Sequence, residues 1–523
     1  ARSPRLLPMG DRAVLVEFDG LADVLEAHSA LAAARPPGLI DLVPAARTVL
    51  AVCDPSRLTT AAARAWLERT LSAPGMRSPH PVGSPAAGEA PIELPIVYDG
   101  ADLAPLAAEL GMPVDELVSE HLAAEWTVAF TGFAPGFAYL VSPQWRHDVP
   151  RRASPRTRVP AGAVGLAGEF TGAYPRETPG GWQLIGTTSA PLFDPGSTAP
   201  ALLTPGARVR FRDAAQLPGT PDAPGSPATP AVTSPATPGF WIEEPGLRAT
   251  IQDQGRPGHR AEGISPSGAM DRAALRTANR LVGNREAAAG IEIVMGGLRA
   301  TAAADLWVAV AGGWGPVRLN GRAVDPYVAH PWRAGTELHV DWLDHGAHAY
   351  LAVRGGIAAA VLAASRATDT LAGLGPRPLR AGDGIPLGDE VAGPPPAAAV
   401  SPWGPPADDL IEVPLGAGPR ADWFTPDAVG TLYESVWTVS HEVDRVGLRL
   451  DGPALTRRRS EELPSEGMVP GSLQVPPSGR PVILGPDAPV TGGYPVIAVV
   501  VDAARDLLSQ ARPGTRVRFR HAP

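Results

Sequence analysis

The sequence predicts a mainly β fold with some α+β character, built from several cores. Three observations support this prediction. At 523 residues the chain is too long for a single core. Its 61 Pro and 58 Gly interrupt regular structure often, which favours short strands joined by turns. A strand motif also occurs twice, because residues 204–212 read TPGARVRFR and residues 512–520 read RPGTRVRFR.

The repeated motif indicates a duplicated module. Each copy places a Pro-Gly turn before a strand that carries Val and Phe on one face and Arg on the other. Upstream, residues 180–185 (GGWQLI) parallel residues 492–497 (GGYPVI) at a similar distance from the closing strand. The sequence therefore predicts two homologous β modules, one at the end of each half of the chain.

Pro-rich stretches divide the chain. The clearest, residues 217–239, reads LPGTPDAPGSPATPAVTSPATPG and has too few apolar side chains to pack. Weaker breaks occur at residues 72–88 and 393–406. The predicted segments are a small N-terminal α/β domain at residues 1–75, folded domains at 86–213, 239–393 and 407–523, and a Pro-rich linker at 214–238.

Helical signals are few. Asp271 can cap a helix that ends before Gly283, and apolar residues recur at helical spacing between them. Residues 60–71 and 102–111 show a similar pattern. We expect these short helices to decorate β domains.

Composition excludes several classes of function. A formal charge of -9 lacks the basic excess that is typical of nucleic-acid-binding proteins. Cys53 is the single cysteine, which excludes an intrachain disulfide and a cysteine-rich metal site and fits a reducing compartment. The sequence has no run of about 18 or more apolar residues and no signal-peptide pattern. We therefore expect a cytoplasmic protein whose partners are neither nucleic acids nor membranes.

All 45 basic residues are arginine, and the sequence contains no lysine. A phosphate-binding loop of the GxxxxGK[ST] type, a Schiff-base amine and a covalently attached biotin each need a lysine. These chemistries are therefore excluded for this sequence. Five His and Asp residues between positions 339 and 348 resemble a metal site. Their strand-like alternation favours a solvated sheet edge instead, so we predict no metal site.

Two sets of motifs resemble one known family. In the first half they are residues 130–140 (FTGFAPGFAYL), 150–162 (PRRASPRTRVPAG), 171–175 (TGAYP) and 179–182 (PGGW). In the second half they are residues 251–258 (IQDQGRPG), 267–271 (SGAMD), 278–284 (ANRLVGN), 368–369 (TD), 444–447 (DRVG), 474–476 (QVP) and 491–495 (TGGYP). The first set is similar to allophanate hydrolase subunit 1 and the second to subunit 2, now better described as the B and C subunits of 5-oxoprolinase.

The resemblance implies a cyclophilin-like β-barrel at residues 86–213 and two further barrel-like halves at 239–393 and 407–523. It implies a fused B/C component of an ATP-dependent 5-oxoprolinase, which uses ATP with Mg²⁺ and a separate A subunit to open the lactam of 5-oxoproline to glutamate. One alternative is a carboxyltransferase-like component of a urea carboxylase or urea amidolyase, with biotin delivered by a carrier on another chain. Another is a non-catalytic, Kip-type regulator of a histidine kinase. Assembly into a homo-oligomer is left open.

The motifs supply the candidate site residues of the first half. Arginine forms bidentate pairs with phosphate or carboxylate, although a strand arginine can also be a solvated surface residue. The family motif favours Arg152 and Arg156 as catalytic residues. His121 is a third catalytic candidate, with a packed helix-end histidine as the alternative. The predicted binding residues, for which strained turns of a barrel are the alternative, are Gly132, Phe133, Pro135, Gly136, Phe137, Tyr174, Gly180, Gly181 and Trp182.

In the second half, polar residues cluster around one turn-helix unit and in the closing module. Asp271 needs no catalytic role, because capping a helix is a sufficient one. The loop residues Asp253 and Arg256 are better catalytic candidates, and Asp444 is the third. The predicted binding residues are Ser267, Asn279, His441, Arg445, Gln474, Thr491 and Tyr494.

Overall fold

The computed structural model describes residues 3–522, except residues 74–89, 153, 155, 196, 198–199, 215–236, 397–403, 408 and 462. Most of the predicted linker at 214–238 lies outside the described residues. The others form four groups of sheets: the N-terminal domain (residues 3–73), the first barrel (90–214), the two-sheet unit (237–396) and the second barrel (404–522). None of the described helices is long and apolar enough to cross a membrane.

The N-terminal domain is one antiparallel sheet with two helices on one face. Its elements are β1 (Arg5–Met9), β2 (Ala13–Glu17), α1 (Leu21–Ala33), β3 (Leu39–Pro44), β4 (Thr48–Cys53) and α2 (Thr60–Leu71). The sheet order is β1-β2-β4-β3. One face packs on α1 and α2, and the other, which includes Leu50, packs on the second barrel. Successive strand residues point to opposite faces, and both faces of this sheet are covered, so every residue of β4 is buried.

The first barrel is a seven-stranded sheet that curls until its ends meet. Its elements are β5 (Ile92–Ile96), α3 (Leu103–Glu109), α4 (Val114–Ala123), β6 (Trp126–Thr131), β7 (Ala138–Val141), β8 (Arg156–Val159), β9 (Ala163–Ala167), β10 (Phe170–Ala173), β11 (Thr178–Gly180), β12 (Gln183–Thr187) and β13 (Arg208–Asp213). The order is β12-β9-β10-β7-β6-β13-β5, and β8 pairs with β11 in a separate ribbon. Val97 and Thr187 exchange two backbone hydrogen bonds of 2.8 Å, which nearly close the barrel between β5 and β12.

The two-sheet unit encloses one core between two sheets. Its elements are β14 (Phe240–Pro245), β15 (Arg248–Gln252), α5 (Arg272–Leu281), β16 (Gly290–Val294), β17 (Leu298–Ala302), β18 (Leu306–Trp314), β19 (Val317–Leu319), β20 (Arg322–Val324), β21 (His330–Trp332), β22 (Glu337–Val340), β23 (His345–Val353) and β24 (Gly384–Ile385). The sheet orders are β20-β19-β22-β17-β14-β24 and β15-β16-β23-β18-β21. Ile242, Ile251 and Leu351 meet in the shared core. As predicted, the Asp271 carboxylate caps α5, accepting a hydrogen bond of 2.8 Å from Ala274 N.

The second barrel is a closed barrel of seven strands. Its elements are β25 (Leu410–Ala417), α6 (Pro426–Glu434), β26 (Val436–Val443), β27 (Gly447–Asp451), β28 (Glu466–Gly467), β29 (Ser472–Gln474), β30 (Val482–Leu484), β31 (Thr491–Gly492), β32 (Val496–Val500), α7 (Asp502–Leu508) and β33 (Arg516–His521). The order is β25-β32-β29-β30-β27-β26-β33, and a parallel pairing of β33 with β25 closes the barrel. The short strands β28 and β31 pair separately.

The two barrels have the same strand order. Strands β12, β9, β10, β7, β6, β13 and β5 of the first correspond in turn to β32, β29, β30, β27, β26, β33 and β25 of the second. In both, the last strand pairs in parallel with the first. Trp126 donates its indole N–H to His121 O, and Trp437 donates to Leu432 O at the same sequence separation. The structure thus supports the duplication that the repeated motif predicts, and it confirms the mainly β fold with tandem barrels.

An ion pair, partly buried in the first barrel and buried in the second, occupies the same place in each barrel with its charges exchanged. In the first barrel, Asp102 precedes α3 and accepts a hydrogen bond of 2.7 Å from Arg156. In the second barrel, Arg420 takes the position of Asp102 and binds Glu466. The backbone N–H groups of Asp102 and Arg420 bond the corresponding strands β12 and β32. The duplication therefore preserved the interaction but not the residues that make it.

Candidate functional site

A cleft of about 830 Å³ lies between the first barrel and the second barrel. Corresponding loops of the two barrels line it, because residues 180–182 lead into β12 and residues 492–494 lead into β32. A cleft of this size can hold a small-molecule ligand. The predicted binding residues that line it are Phe133, Phe137, Tyr174, Gly180, Gly181, Trp182, Thr491 and Tyr494.

Aromatic side chains form one wall of the cleft. Phe137 makes edge contacts with Tyr139, Tyr174 and Trp182, with ring centroids 5.0–5.3 Å apart. A methyl group at Gly180 would lie 2.5 Å from the Tyr174 hydroxyl, so this position needs glycine for the hydroxyl to sit there. Burial raises the pKa of Tyr139 to about 12 and raises that of Tyr174 further. Both hydroxyls therefore stay protonated near neutral pH and can donate hydrogen bonds.

Each barrel contributes an arginine to the cleft. Arg151 comes from the segment between β7 and β8, and Arg457 comes from the segment between β27 and β28. The Arg457 Nη2 donates to Val475 O, while no described residue accepts a hydrogen bond from its Nε. Glu461 is the one carboxylate among the lining residues that the structure describes. The two guanidinium groups suit a small ligand with a carboxylate, since guanidinium binds carboxylate in bidentate fashion.

The β6–β7 hairpin of the first barrel docks on the second barrel beside the cleft. A side chain at Gly132 would overlap Thr491 Oγ1, and the N–H of Phe133 donates to the same oxygen at 3.3 Å. Phe133 has a left-handed backbone with φ of 64°, which aims its ring at the cleft. Gly136, in the same hairpin, packs instead on Phe193. Of the residues predicted in this loop, Phe133 lines the cleft, and Gly132 lies beside it against the lining residue Thr491. Pro135 and Gly136 do not line the cleft.

The structure places the predicted catalytic His121 in the core of the first barrel, away from the cleft. The side chain is fully buried and its ring nitrogens contact Tyr98 Oη at 2.8 Å and Thr171 Oγ1 at 3.0 Å. Burial lowers the pKa of His121 to about 3, so the ring stays neutral. A histidine that is closed off from solvent and occupied at both nitrogens cannot exchange protons with a substrate. The catalytic prediction for His121 is corrected to a structural role.

The predicted catalytic residues Arg152 and Arg156 both bind Asp102 Oδ1, at 2.8 Å and 2.7 Å. The Asp102 Oδ2 accepts from Leu184 N at 2.7 Å. Burial opposes ionisation of Asp102, but hydrogen bonds and both arginines outweigh it and hold its pKa below the usual value. These arginines therefore fix the loop behind the cleft, and the neighbouring Arg151 is the one that faces the ligand space.

Two of the predicted second-half residues, Ser267 and Arg445, meet in a buried network between the two-sheet unit and the second barrel. Arg445 donates to Asp487 Oδ1 and Oδ2 at 2.9 Å and to Glu292 Oε1 at 2.7 Å. Ser267 donates to Asp487 Oδ1 at 2.7 Å. Asp253 accepts from Ser365 Oγ at 2.7 Å. Ser267 and Arg445, predicted in two separate clusters, therefore meet at this interface and not in the inter-barrel cleft. The described hydrogen-bond partners of the Asp253 side chain all lie within the two-sheet unit.

Four other predicted residues lie apart from the cleft or behind its wall. Asn279 is buried and donates to Ala288 O at 2.7 Å, which gives it a structural role in place of the predicted ligand contact. The exposed His441 and Asp444 border a smaller cavity of about 300 Å³ between the two-sheet unit and the second barrel. Gln474 lies behind Gly492, where a side chain on that glycine would come within 2.6 Å of Gln474 Nε2.

Arg457 and Glu461 line the cleft but are not among the residues predicted from the sequence. The repeat contained a usable signal, because Arg457 lies between β27 and β28 just as Arg151 lies between β7 and β8. An alignment of the two modules that extends beyond their closing strands would have pointed to Arg457 from the corresponding position of Arg151.

The chain belongs to the class of carboxyltransferase-type proteins, because both of its halves match family models of that class. Residues 4–203 match the family model for the carboxyltransferase domain, subdomain C and D, and residues 262–521 match the model for subdomain A and B. The chain is a member of this family, and it combines a half like the B subunit of 5-oxoprolinase with a half like the C subunit of the same enzyme.

Three relatives illustrate the similarity. The C subunit of 5-oxoprolinase from Escherichia coli (strain K12) is 37% identical over 279 residues, which is 52% of this chain and 88% of that protein. The B subunit of 5-oxoprolinase from Escherichia coli O157:H7 is 54% identical over 123 residues, 23% of this chain and 56% of that protein. The crystal structure of TTHA0988 is 34% identical, with a TM-score of 0.84, and the match covers 98% of this chain and 100% of that one. These relatives include components of enzyme systems, and the full-length match shows that the two halves also occur together in another protein.

Proposed function

We propose that the chain is the fused B/C component of an ATP-dependent 5-oxoprolinase, which opens the lactam of 5-oxoproline to glutamate together with a separate A subunit. The observation that carries this proposal is that the two halves resemble the B and C subunits of that enzyme, and that both halves line one cleft. Two subunits whose barrels form a single ligand site gain from being fused, because fusion keeps the site assembled.

The cleft residues suit such a substrate. Arg151 and Arg457 match its carboxylate, and Phe137 and Trp182 offer apolar surface to the ring. The Tyr174 hydroxyl can donate a hydrogen bond to the lactam oxygen, where negative charge develops when the amide is attacked. Amide resonance makes the lactam carbonyl a poor electrophile. The Tyr174 hydroxyl and the two arginines would therefore have to stabilise the negative charge that develops when the carbonyl is attacked.

ATP with Mg²⁺ fits this chain poorly. Among the described residues that line the cleft, Glu461 is the one with an acidic side chain, and the described part of the chain contains no group of three or more His, Cys, Asp or Glu that could hold a metal ion. The sequence also offers no lysine for the phosphates. We therefore propose that the A subunit supplies most of the nucleotide site, and we derive no step through ATP from this chain.

The proposal is tested by measuring ADP release and glutamate formation with purified chain, ATP, Mg²⁺ and 5-oxoproline, with and without the A subunit. We expect turnover only when the A subunit is present. Arg457→Gln should reduce it, while Arg158→Gln is the matched control, because Arg158 is exposed and pairs with Glu177 away from the cleft. Absence of turnover in every combination would refute the proposal.

A second candidate is a carboxyltransferase component that receives carboxylated biotin from a carrier on another chain. The family models favour it, as does a 32% identity over 306 residues to urea amidolyase of Lachancea kluyveri, although the match spans 17% of that protein. Transfer of labelled carboxylate from a biotinylated carrier protein to urea, in the presence of this chain, is the measurement that separates the two candidates.

A further inference from the structure

The cavity of about 300 Å³ between the two-sheet unit and the second barrel is separate from the inter-barrel cleft. The two spaces share no lining residue among those that the structure describes, and neither is lined by the predicted Asp253 or Arg256. Strands β16 and β23 supply one side of the cavity, and β26 with the segment between α7 and β33 supplies the other. A volume of this size is at the lower end of the range for small-molecule pockets, about 300–1,000 Å³. A ligand held there would contact both units.

The cavity wall contains a histidine, His348, with only one of its two ring nitrogens occupied. Its Nδ1 lies 2.7 Å from Ser509 O. A carbonyl oxygen can only accept a hydrogen bond, so Nδ1 carries the proton and Nε2 presents a lone pair. Burial lowers the pKa of His348, which keeps the ring in this neutral form near neutral pH.

The Nε2 of His348 is an acceptor without a donor. No group among the described residues donates a hydrogen bond to it, although Nδ1 of the same ring is satisfied. It is not one of the sealed side-chain atoms that lack a partner, so it opens on the cavity that His348 lines. A ligand or a water molecule must therefore supply the missing donor.

Most of the remaining lining is apolar. Met270 and Leu448 are buried, and Val294 lies directly opposite His348 in the β16–β23 pair. Met295 follows Val294 and has a left-handed backbone with φ of 60°, which is uncommon for a residue with a side chain. Methionine is flexible, and its thioether makes favourable contacts with aromatic rings. These side chains therefore suit a flat apolar group such as an aromatic ring.

The charges at the cavity favour an uncharged ligand. The guanidinium of Arg445 is already matched by two buried carboxylates. Arg248 and Asp444 have opposite charges, and both are exposed to solvent. An anion would bring its lone pairs against the lone pair of His348 Nε2, whereas a neutral donor would satisfy it without the cost of burying a charge.

A phenol combines a flat apolar ring with a single O–H donor. We propose that this cavity binds a small phenol, with the hydroxyl donating to His348 Nε2 and the ring packed against Met270 and Met295. The proposal does not depend on the proposed function, because it concerns a separate cavity and a different class of ligand. Since the ligand contacts the two-sheet unit and the second barrel, its binding should stabilise the folded chain.

The test compares p-cresol with its methyl ether, which has the same ring but no O–H to donate. Binding to the full chain is measured by ligand-observed NMR titration and by the shift in unfolding temperature. We expect p-cresol to bind about tenfold more tightly than the ether, since the ether leaves Nε2 without a donor. His348→Leu should remove this preference. The matched control is His339→Leu, which changes a histidine outside the cavity lining and should leave the preference within about twofold of the parent chain.

Val294→Phe is a second variant that keeps the test decisive if His348→Leu fails to fold. Val294 is half-buried, and a phenyl ring at this position would occupy the cavity, so p-cresol binding should be lost. Three results would overturn the proposal. The first is no binding of p-cresol to the parent chain at millimolar concentration, which would leave water as the partner of Nε2. The second is equal affinity for p-cresol and its ether. The third is binding that survives unchanged in His348→Leu or Val294→Phe, which would place the phenol elsewhere, such as on the aromatic wall of the cleft.

Discussion

Replacing Arg445 by methionine is expected to loosen the junction between the two-sheet unit and the second barrel. The Arg445 side chain is 2% exposed, and the Glu292 and Asp487 side chains that it binds are both 0% exposed. Arg445→Met keeps most of the side-chain stem but leaves two buried carboxylates without their counter-charge. The Ser267 hydroxyl and the backbone of Thr370 still donate to Asp487, so the site is not emptied of partners.

The magnitude follows from the burial of all three groups. Removing one partner of a buried ion pair typically costs about 3–5 kcal/mol, because the remaining charge cannot be solvated. For a unit of this size such a loss lowers the unfolding midpoint by roughly 6–20 °C. The matched control is Arg518→Met in the same barrel, where the guanidinium is 36% exposed and stands 4.0 Å from Glu412. That change should cost about 1 kcal/mol or less.

The loss of stability in Arg445→Met should become smaller as the pH falls. Burial opposes ionisation of Glu292 and Asp487, but Arg445 outweighs it and holds the pKa of each below its usual value. Their stabilising contribution is therefore complete above the unfolded-state pKa of about 4 and is lost as the pH falls through the folded-state pKa. Without Arg445 the same burial raises both pKa values, so the variant's deficit shrinks on acidification as the carboxyls become neutral.

Calorimetric and urea unfolding at about pH 7.5 and about pH 5 measures both effects. Adding Asp487→Asn to Arg445→Met should recover part of the loss at the higher pH, since one unpaired charge is removed. The reasoning is refuted if Arg445→Met costs no more than Arg518→Met, or if its deficit is the same at both pH values.

Three further predictions concern the cleft and the first barrel. Arg457→Gln should raise the KM for 5-oxoproline by about 10- to 100-fold with a smaller change in kcat, because a charged hydrogen bond to the carboxylate is lost; steady-state kinetics with the A subunit would show this. Gly132→Ala should cost about 1–3 kcal/mol through overlap with Thr491 Oγ1, and Thr491→Ala in the same chain should recover part of it in a double-mutant cycle measured by urea unfolding. Because His121 is held neutral with a pKa of about 3, stability should fall by about 1.4 kcal/mol per pH unit below about pH 6.5, where the unfolded state takes up a proton. His121→Gln should flatten that slope, and an unchanged slope would contradict the assignment.

Sequence reasoning succeeded where local pattern and internal repetition carry the information. The motif shared by residues 204–212 and 512–520 predicted two modules, and its strands β13 and β33 make the same parallel pairing, with β5 and with β25, in the two barrels. The predicted cap at Asp271 is also present, because an N-cap depends on a few neighbouring residues.

Site prediction was less accurate, because motif membership does not say which way a side chain points. Arg151 and Arg152 are neighbours, yet Arg151 lines the cleft while Arg152 turns to Asp102. Successive residues in extended chain project in opposite directions, and the loop's path decides which of them meets the ligand space. The partner of Arg152 lies 50 positions away in sequence, so no local pattern could identify it.

The sequence by itself determined the mainly β class, the duplication, the family resemblance and the absence of lysine chemistry, since these depend on composition, turn residues and repetition. The tertiary structure alone decided that the two barrels share one cleft, that His121 is a core residue, and that Arg176 of one half meets Asp369 of the other. The physical reason is that burial and long-range pairing are properties of packed surfaces. The same arginine is a ligand-binding group, a structural tie or a solvated side chain, depending on which distant residue packs against it.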